Sequence, residues 1–299
     1  MGSSFEFGIV DADPDRARQL LELGIVETQR IEDTLTEFKP DSITSQINAN
    51  AGIKELVVSK EVYDLLNRSL NISKLTNGYF DITVGPLKRL YKFKNDVFSF
   101  PPKKDIKSAL QKVGYQKIQL ETNKQTAFLE TSDMYISFAA IGKGYAADAV
   151  RNLWKEHGAH NGYINASGDL TAFGTNEKGD LWKIGIADPD HTQNMLFYVP
   201  LDRASVATSG DYEQHFMYKG KRYSHNINPK TGMPLSGIKS VSVFSPSAEL
   251  SDALATAVYT MGVEKGLSFL NQLPKTHGII IDDQNNVYFS KKLQYEAAS

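Results

Sequence analysis

Apolar residues along the chain recur with two periods, and the change from one to the other marks out the elements. Phe5 to Val10 follows the two-residue alternation of a half-buried strand. Asp13-Pro14 then opens a stretch in which Ala17, Leu20, Leu21, Ile25, Ile31 and Leu35 recur at helical spacing, predicting a helix with one buried face. Pro40 breaks that pattern, and the Ser, Thr and Asn residues from Ser42 to Asn48 suit helix caps better than ligand contacts. A second helix is predicted over Lys60 to Thr76, ending at Asn77-Gly78. A β-rich run, Tyr79 to Leu87, follows it, then a helix from Lys103 to Val113 and short strands near Ile118 and Phe128.

In the second half, Met134 to Ile141 predicts a strand, Gly142-Lys143-Gly144 a turn, and Tyr145 to His157 a helix. Free amides and the dipole at such a helix start favour an anion. Gly142-x-Gly144-x-x-Ala147 fits a loose dinucleotide fingerprint, but the segments after it are antiparallel-looking strands, so a Rossmann fold is rejected. Gly162 to Asp169 is a strand running into a glycine turn, and Trp182 to Ala187 with Met195 to Leu201 form the arms of a hairpin. Next come a strand at Ser240 to Phe244, a helix from Pro246 to Met261 closed by Gly262, a further helix from Gly266 to Leu273, and a terminal hairpin of Gly278 to Ile281 with Val287 to Ser290. Long helices mixed with hairpin strands predict an α+β fold with largely antiparallel sheets. No linker, repeat or low-complexity tract divides residues 1–299, so a single domain of two closely packed lobes is expected.

Composition narrows the function. The 299 residues are 41% hydrophobic, enough for a sizeable core, and the formal charge of −2, with basic residues scattered along the sequence, gives no sign of a nucleic-acid surface or a polyacidic partner. The absence of cysteine excludes thiol catalysis, thiolate metal sites and disulfides. No apolar run reaches membrane-spanning length, and the first residues lack the features of a signal peptide, so a soluble chain is expected.

Reactive groups are densest between Ser205 and Pro234, where Thr208, Ser209, Asp211 and His225 lie among turns predicted at Lys219-Gly220 and Pro229 to Gly232. His225 suits a general acid or base, although a histidine is more often a surface or core residue. Asp211 would orient it or act as base, or else form an Asx turn after Gly210. Asp252 and Thr256 stand four apart on one helix face, a carboxylate and a hydroxyl fit for half of a Mg²⁺ site; the plainer reading is a dipole-facing Asp beside a Thr bonded to its own turn. Lys143 either meets a phosphate or is simply solvated. Asp81 needs a partner if buried, since an unpaired internal charge costs several kcal/mol, and otherwise caps a turn facing water.

Taken in order, the motifs resemble a known family. Phe38-Lys-Pro-Asp-Ser42 with Asn48, Gly78-Tyr-Phe-Asp81-x-Thr83-Val-Gly-Pro-Leu87, Gly142-Lys-Gly-Tyr-Ala-Ala-Asp148, Ala207-Thr-Ser-Gly-Asp-Tyr212, Arg222-Tyr-Ser-His225 with Asn228-Pro-Lys-Thr-Gly232, and Ser251-Asp-Ala-Leu-Ala-Thr256, together with Met1-Gly2-Ser3, resemble the ApbE-type FAD:protein FMN transferases over nearly the whole chain. The resemblance implies T-fold-like lobes around an FAD cleft and a Mg²⁺-dependent enzyme that leaves FMN phosphoester-linked to a Thr or Ser of an acceptor flavoprotein and releases AMP. An FAD pyrophosphatase and a non-catalytic FAD-binding protein are the alternatives. It further implies metal ligation by Asp252, Thr256 and the main-chain carbonyl of Ala140, FAD contacts from Met1, Phe38, Tyr79, Phe80, Asp81, Lys143, Asn226 and Ile227, and a catalytic role for His225 aided by Asp211. Phe38 stands where the family often has Tyr, and Ser137 where it commonly has Asp. A periplasmic site, or the outer face of a bacterial inner membrane, is the location the resemblance implies, with the cytoplasm as the alternative; this sequence carries no export segment.

Overall fold

The structure is a computed structural model, and it describes residues 3–91, 99–201, 204–210 and 215–298. In chain order these form β1 (Phe5–Ile9), α1 (Pro14–Leu35), α2 (Ile43–Ala49), β2 (Leu56–Val57), α3 (Lys60–Leu75), α4 (Gly85–Lys88), α5 (Lys103–Leu110), β3 (Ile118–Glu121), β4 (Thr126–Leu129) and α6 (Gly142–Glu156). They continue with β5 (Gly162–Ala166), β6 (Asp169–Phe173), β7 (Lys183–Ala187), β8 (Met195–Pro200), β9 (Ser205–Gly210), β10 (His215–Tyr218), β11 (Lys221–Ser224) and β12 (Ile238–Ser245). Last come α7 (Ala248–Met261), α8 (Val263–Leu270), β13 (His277–Asp282), β14 (Val287–Phe289) and β15 (Glu296–Ala297). The fold is α+β, and every strand pairing among the described residues is antiparallel.

The chain divides into two compact units. The first takes residues 1–32, 141–212 and 238–299, the second residues 33–140 and 213–237. Unit 1 is built on a seven-stranded sheet of order β1-β5-β6-β9-β12-β13-β14, with a three-stranded sheet β15-β8-β7 beside it in the same unit. All eight residues of β12 are buried, as expected of a central strand covered on both faces. Trp154 of α6 fills the core against Leu20 and Ile164, and its indole N–H donates to the Leu20 carbonyl at 2.5 Å, so the largest buried ring leaves no donor unpaired.

Helix α7 is buried almost all round, which its alanine-rich sequence permits, and Ser247 caps its start by accepting from the Leu250 amide. Its partner α6 comes so close that a Cβ at Gly144 would stand 2.2 Å from the Ala248 carbonyl oxygen. Backbone cannot retreat as a side chain can. Gly144→Ala is therefore expected to destabilise the protein by about 3 kcal/mol or more, at the upper end of overpacking costs, and a urea midpoint within error of wild type would refute this packing.

Unit 2 carries the small sheet β2-β4-β3, the hairpin β10-β11 and helices α2 to α5. Leu65, Leu66 and Ile72 of α3 are buried, and Asn77 (φ 50°) and Gly78 (φ 72°) end that helix in the left-handed region, as the Asn-Gly pair predicts. Ser42 is the N-cap of α2, its hydroxyl accepting from Ser45 N at 3.1 Å.

Four sequence expectations are corrected. Tyr79 to Leu87 forms no strand: the Asp81 carboxylate takes the Thr83 amide at 2.9 Å and folds the segment into turns ahead of α4. Met134 to Ile141 forms none either, because Ile136 bonds to a side chain in place of a neighbouring strand. Its N–H donates to Asn48 Oδ1 at 2.7 Å and its carbonyl accepts from Asn48 Nδ2 at 3.0 Å. Gly142 to Gly144 is the first turn of α6 rather than a separate loop. Ile25, counted with the buried face of α1, is 56% exposed.

Candidate functional site

In unit 1 the start of α6 and the first half of α7 bring together the groups singled out in sequence. Gly144 N–H, one of the free amides at the α6 N-terminus, donates to Asp252 Oδ2 at 3.2 Å. The anion that this helix start attracts is thus a carboxylate of the chain itself. Lys143, beside it, pairs through Nζ with Asp169 Oδ2 at 2.9 Å, and Asp169 is 1% exposed. Thr256 lies one turn beyond Asp252, with its hydroxyl 3.3 Å from that of Ser209 on β9. Asp148 holds the two helices in place: its Oδ2 accepts from the Glu249 amide at 2.9 Å while Oδ1 pairs with Arg151 at 2.9 Å.

Asp252 and Asp169 influence each other, and both carboxyls are pushed upward. Burial is the main cause for each. For Asp252 the Asp169 charge adds to it, while Lys143 and the Gly144 amide oppose it. For Asp169 the Lys143 ammonium is the chief opposing influence. Two enclosed carboxyls with one lysine between them leave negative charge that a cation would relieve. The donors at hand, Asp252, Thr256 and Ser209, are all hard oxygens, the chemistry Mg²⁺ prefers, and among the described residues no three His, Asp or Glu side chains converge as ligands. These residues fit a hard divalent cation.

Unit 2 holds the remaining candidates. Phe38 is 87% exposed, an unusual position for a phenyl ring and one that leaves its face open for stacking. Tyr79 is half-buried beneath Lys230 Nζ, 4.1 Å from the ring centroid. Phe80 is 1% exposed, so only its main chain can meet a ligand. The buried Asp81 carboxylate does have partners, in Thr83 N (2.9 Å), Thr83 Oγ1 (2.7 Å) and Tyr115 N (2.9 Å), while Thr83 Oγ1 accepts in turn from Gly114 N. Burial nonetheless holds its carboxyl above the ordinary range. Asp81→Asn can still accept from the Thr83 amide and hydroxyl through its one oxygen but turns its NH2 toward the Tyr115 N–H, costing about 1–3 kcal/mol in chemical denaturation.

His225 directly follows β11 and is half-buried, and Asn226 donates its amide N–H to Ser224 Oγ at 3.1 Å. Ile227 is buried and bridged to Pro234, which closes the turn at Pro229 to Gly232. Ala140 is the last residue of the unit's first segment. Met1 and Asp211 lie outside the described residues. The structure therefore gathers Lys143, Asp252 and Thr256 in unit 1, and places Phe38, Tyr79 to Asp81, Ala140 and His225 to Ile227 in unit 2. Asp169 was missed in sequence. Its one signal was its place straight after the tight turn at Ser167 (φ 51°) and Gly168 (φ 95°), where it opens β6.

An ApbE family sequence model matches residues 1–281. The FAD:protein FMN transferase of Salmonella typhimurium is 31% identical over 273 residues, covering 89% of this chain and 77% of the relative, and that of Treponema pallidum is 31% identical, covering 85% and 74%. Among solved structures, the ApbE protein of Thermotoga maritima superposes with a TM-score of 0.87 at 28% identity, over 97% of this chain and 94% of the other. The flavinyl transferase ApbE of Pseudomonas stutzeri, in its apo form, gives 0.87 at 26% identity over 97% and 92%.

Proposed function

The chain belongs to the ApbE family, and we propose that it is an FAD:protein FMN transferase using Mg²⁺. FMN is moved from FAD to a Thr or Ser hydroxyl of an acceptor flavoprotein, and AMP is released. The observation that carries this reading is the enclosed, cation-seeking carboxyl of Asp252 with the Thr256 hydroxyl one turn away, backed by Lys143 and Asp169.

Asp252 and Thr256 would hold the metal. A bound divalent cation neutralises pyrophosphate charge and so eases the departure of AMP. Phe38 offers its exposed ring to the flavin. His225 takes the proton of the acceptor hydroxyl. The hydroxyl oxygen then forms a bond to the phosphorus on the riboflavin side, the bond from that phosphorus to the bridging oxygen breaks, and AMP leaves with the electron pair. Asp169 fixes Lys143 at the α6 N-terminus, keeping a positive charge beside Asp252.

Incubation with FAD, Mg²⁺ and candidate acceptor flavoproteins, read by in-gel flavin fluorescence, tests the reading. A fluorescent acceptor band that survives denaturation and disappears with EDTA is expected. AMP formed with no acceptor ever labelled would replace transfer with hydrolysis, and FAD bound but left whole would make the protein a carrier.

A further inference from the structure

The scattered charges of the sequence are sorted by the fold. Unit 1 holds 14 of the 33 Lys and Arg and 22 of the 35 Asp and Glu, a balance of −8; unit 2 holds 19 and 13, a balance of +6. The overall −2 hides this division.

Part of the unit 2 surplus is displayed on one rigid feature. In the hairpin β10-β11 Phe216 faces Tyr223 and Tyr218 faces Lys221. The Phe216 and Tyr223 rings stack at 5.3 Å, and Phe100 meets Tyr218 and Tyr223 edge-on at 5.0 and 5.4 Å. This aromatic cluster fixes the hairpin and tethers beside it the start of α5, three residues after Phe100. At the hairpin turn Lys219 and Lys221 are exposed, each 5.5 Å from the centre of a neighbouring tyrosine ring. At the start of α5 stand Lys103 and Lys104, also exposed, where the helix dipole favours acids. None of these four lysines pairs with a carboxylate among the described residues, so local structure gains little from their charges.

The strand leaving this turn, β11, ends at Ser224, immediately before His225. A segment held on the hairpin lies along the chain that leads to the proposed base. We infer that the cationic surface of Lys103, Lys104, Lys219 and Lys221 docks an acidic segment of the acceptor protein, flanking the hydroxyl that receives FMN. This rests on the transferase reading above. Charge complementarity identifies the partner, and on a surface it acts chiefly through encounter rate and choice of partner.

The test is fluorescence anisotropy on the full chain with FAD present and Mg²⁺ withheld, using dye-labelled peptides with a central Thr flanked by Asp and Glu, by Asn and Gln, or by Lys and Arg. The acidic peptide is expected to bind about tenfold more tightly than its amide counterpart at low salt, with the preference fading above roughly 0.3 M salt, where the Debye length falls to about 6 Å or less. K219E/K221E and K103E/K104E should each remove the preference, and combined they should invert it toward the basic peptide, while FAD binding, read by flavin fluorescence, stays at the wild-type level. Equal binding of the acidic and amide peptides, or a preference that survives charge reversal, would overturn the inference. So would tighter binding of phosphatidylserine vesicles or single-stranded RNA than of the acidic peptide, or loss of FAD affinity in the reversal variants. No turnover is needed, so failure here is separable from failure of the transferase reading, which shows as absence of AMP and of labelled acceptor.

Discussion

Asp252→Asn is expected to abolish FMN transfer, lowering the rate on the order of 10³-fold or more, the scale of losing one preorganised electrostatic contact at a reacting phosphate. The substitution keeps size and removes charge, and it separates chemistry from folding. In the wild type, burial and Asp169 raise the Asp252 pKa in the folded state. A carboxyl raised in this way adds stability fully below its unfolded pKa and loses it as pH climbs through the folded value. Without divalent cations, wild-type stability should therefore decline from mildly acidic toward alkaline pH, while Asn at position 252, which has nothing to ionise, flattens that decline. Mg²⁺ should reverse the order. At a hundredfold excess over its dissociation constant it should stabilise the wild type by about 2.7 kcal/mol and leave the variant unmoved. Thermal melts of both proteins across pH, with and without Mg²⁺, check each part; a Mg²⁺ shift retained in the variant would remove Asp252 from the metal site.

The second large effect is at His225. His225→Gln should slow transfer by about 10²–10⁴-fold, the usual contribution of a general base, while FAD binding and the Mg²⁺ melting shift persist. The variant should also lose the part of the wild-type pH profile that the base contributes. A variant with the wild-type pH profile would pass the role of base to another group.

Much of the fold was legible because its signals are local. Ser42 caps α2, Asn77-Gly78 ends α3 and Gly262 closes α7, each by a short-range hydrogen bond or backbone preference that does not depend on the rest of the chain. The spacing of Asp252 and Thr256 on one helix was legible for the same reason. What sequence could not supply were pairings set by tertiary contact. The extended run before α6 reads as a strand, yet its partner is the Asn48 side chain, 88 residues earlier. Gly142 to Gly144 reads as a phosphate-binding turn, yet one of its amides is taken by Asp252, 108 residues later. Asp169 carried no motif, and its role shows only once β6 sets it against Lys143. Charge was misread in the same way: basic residues evenly spread along the sequence are sorted between two units by the fold.

Transfer, as proposed, requires that FAD be cleaved by an acceptor hydroxyl rather than by water. The most direct measurement is the ratio of AMP released to FMN covalently bound when FAD and Mg²⁺ are supplied with an acceptor flavoprotein, AMP being counted by chromatography and bound FMN by intact-protein mass spectrometry. One AMP is expected for each FMN bound, with both falling to background in Asp252→Asn. AMP accumulating without matching covalent FMN would contradict it.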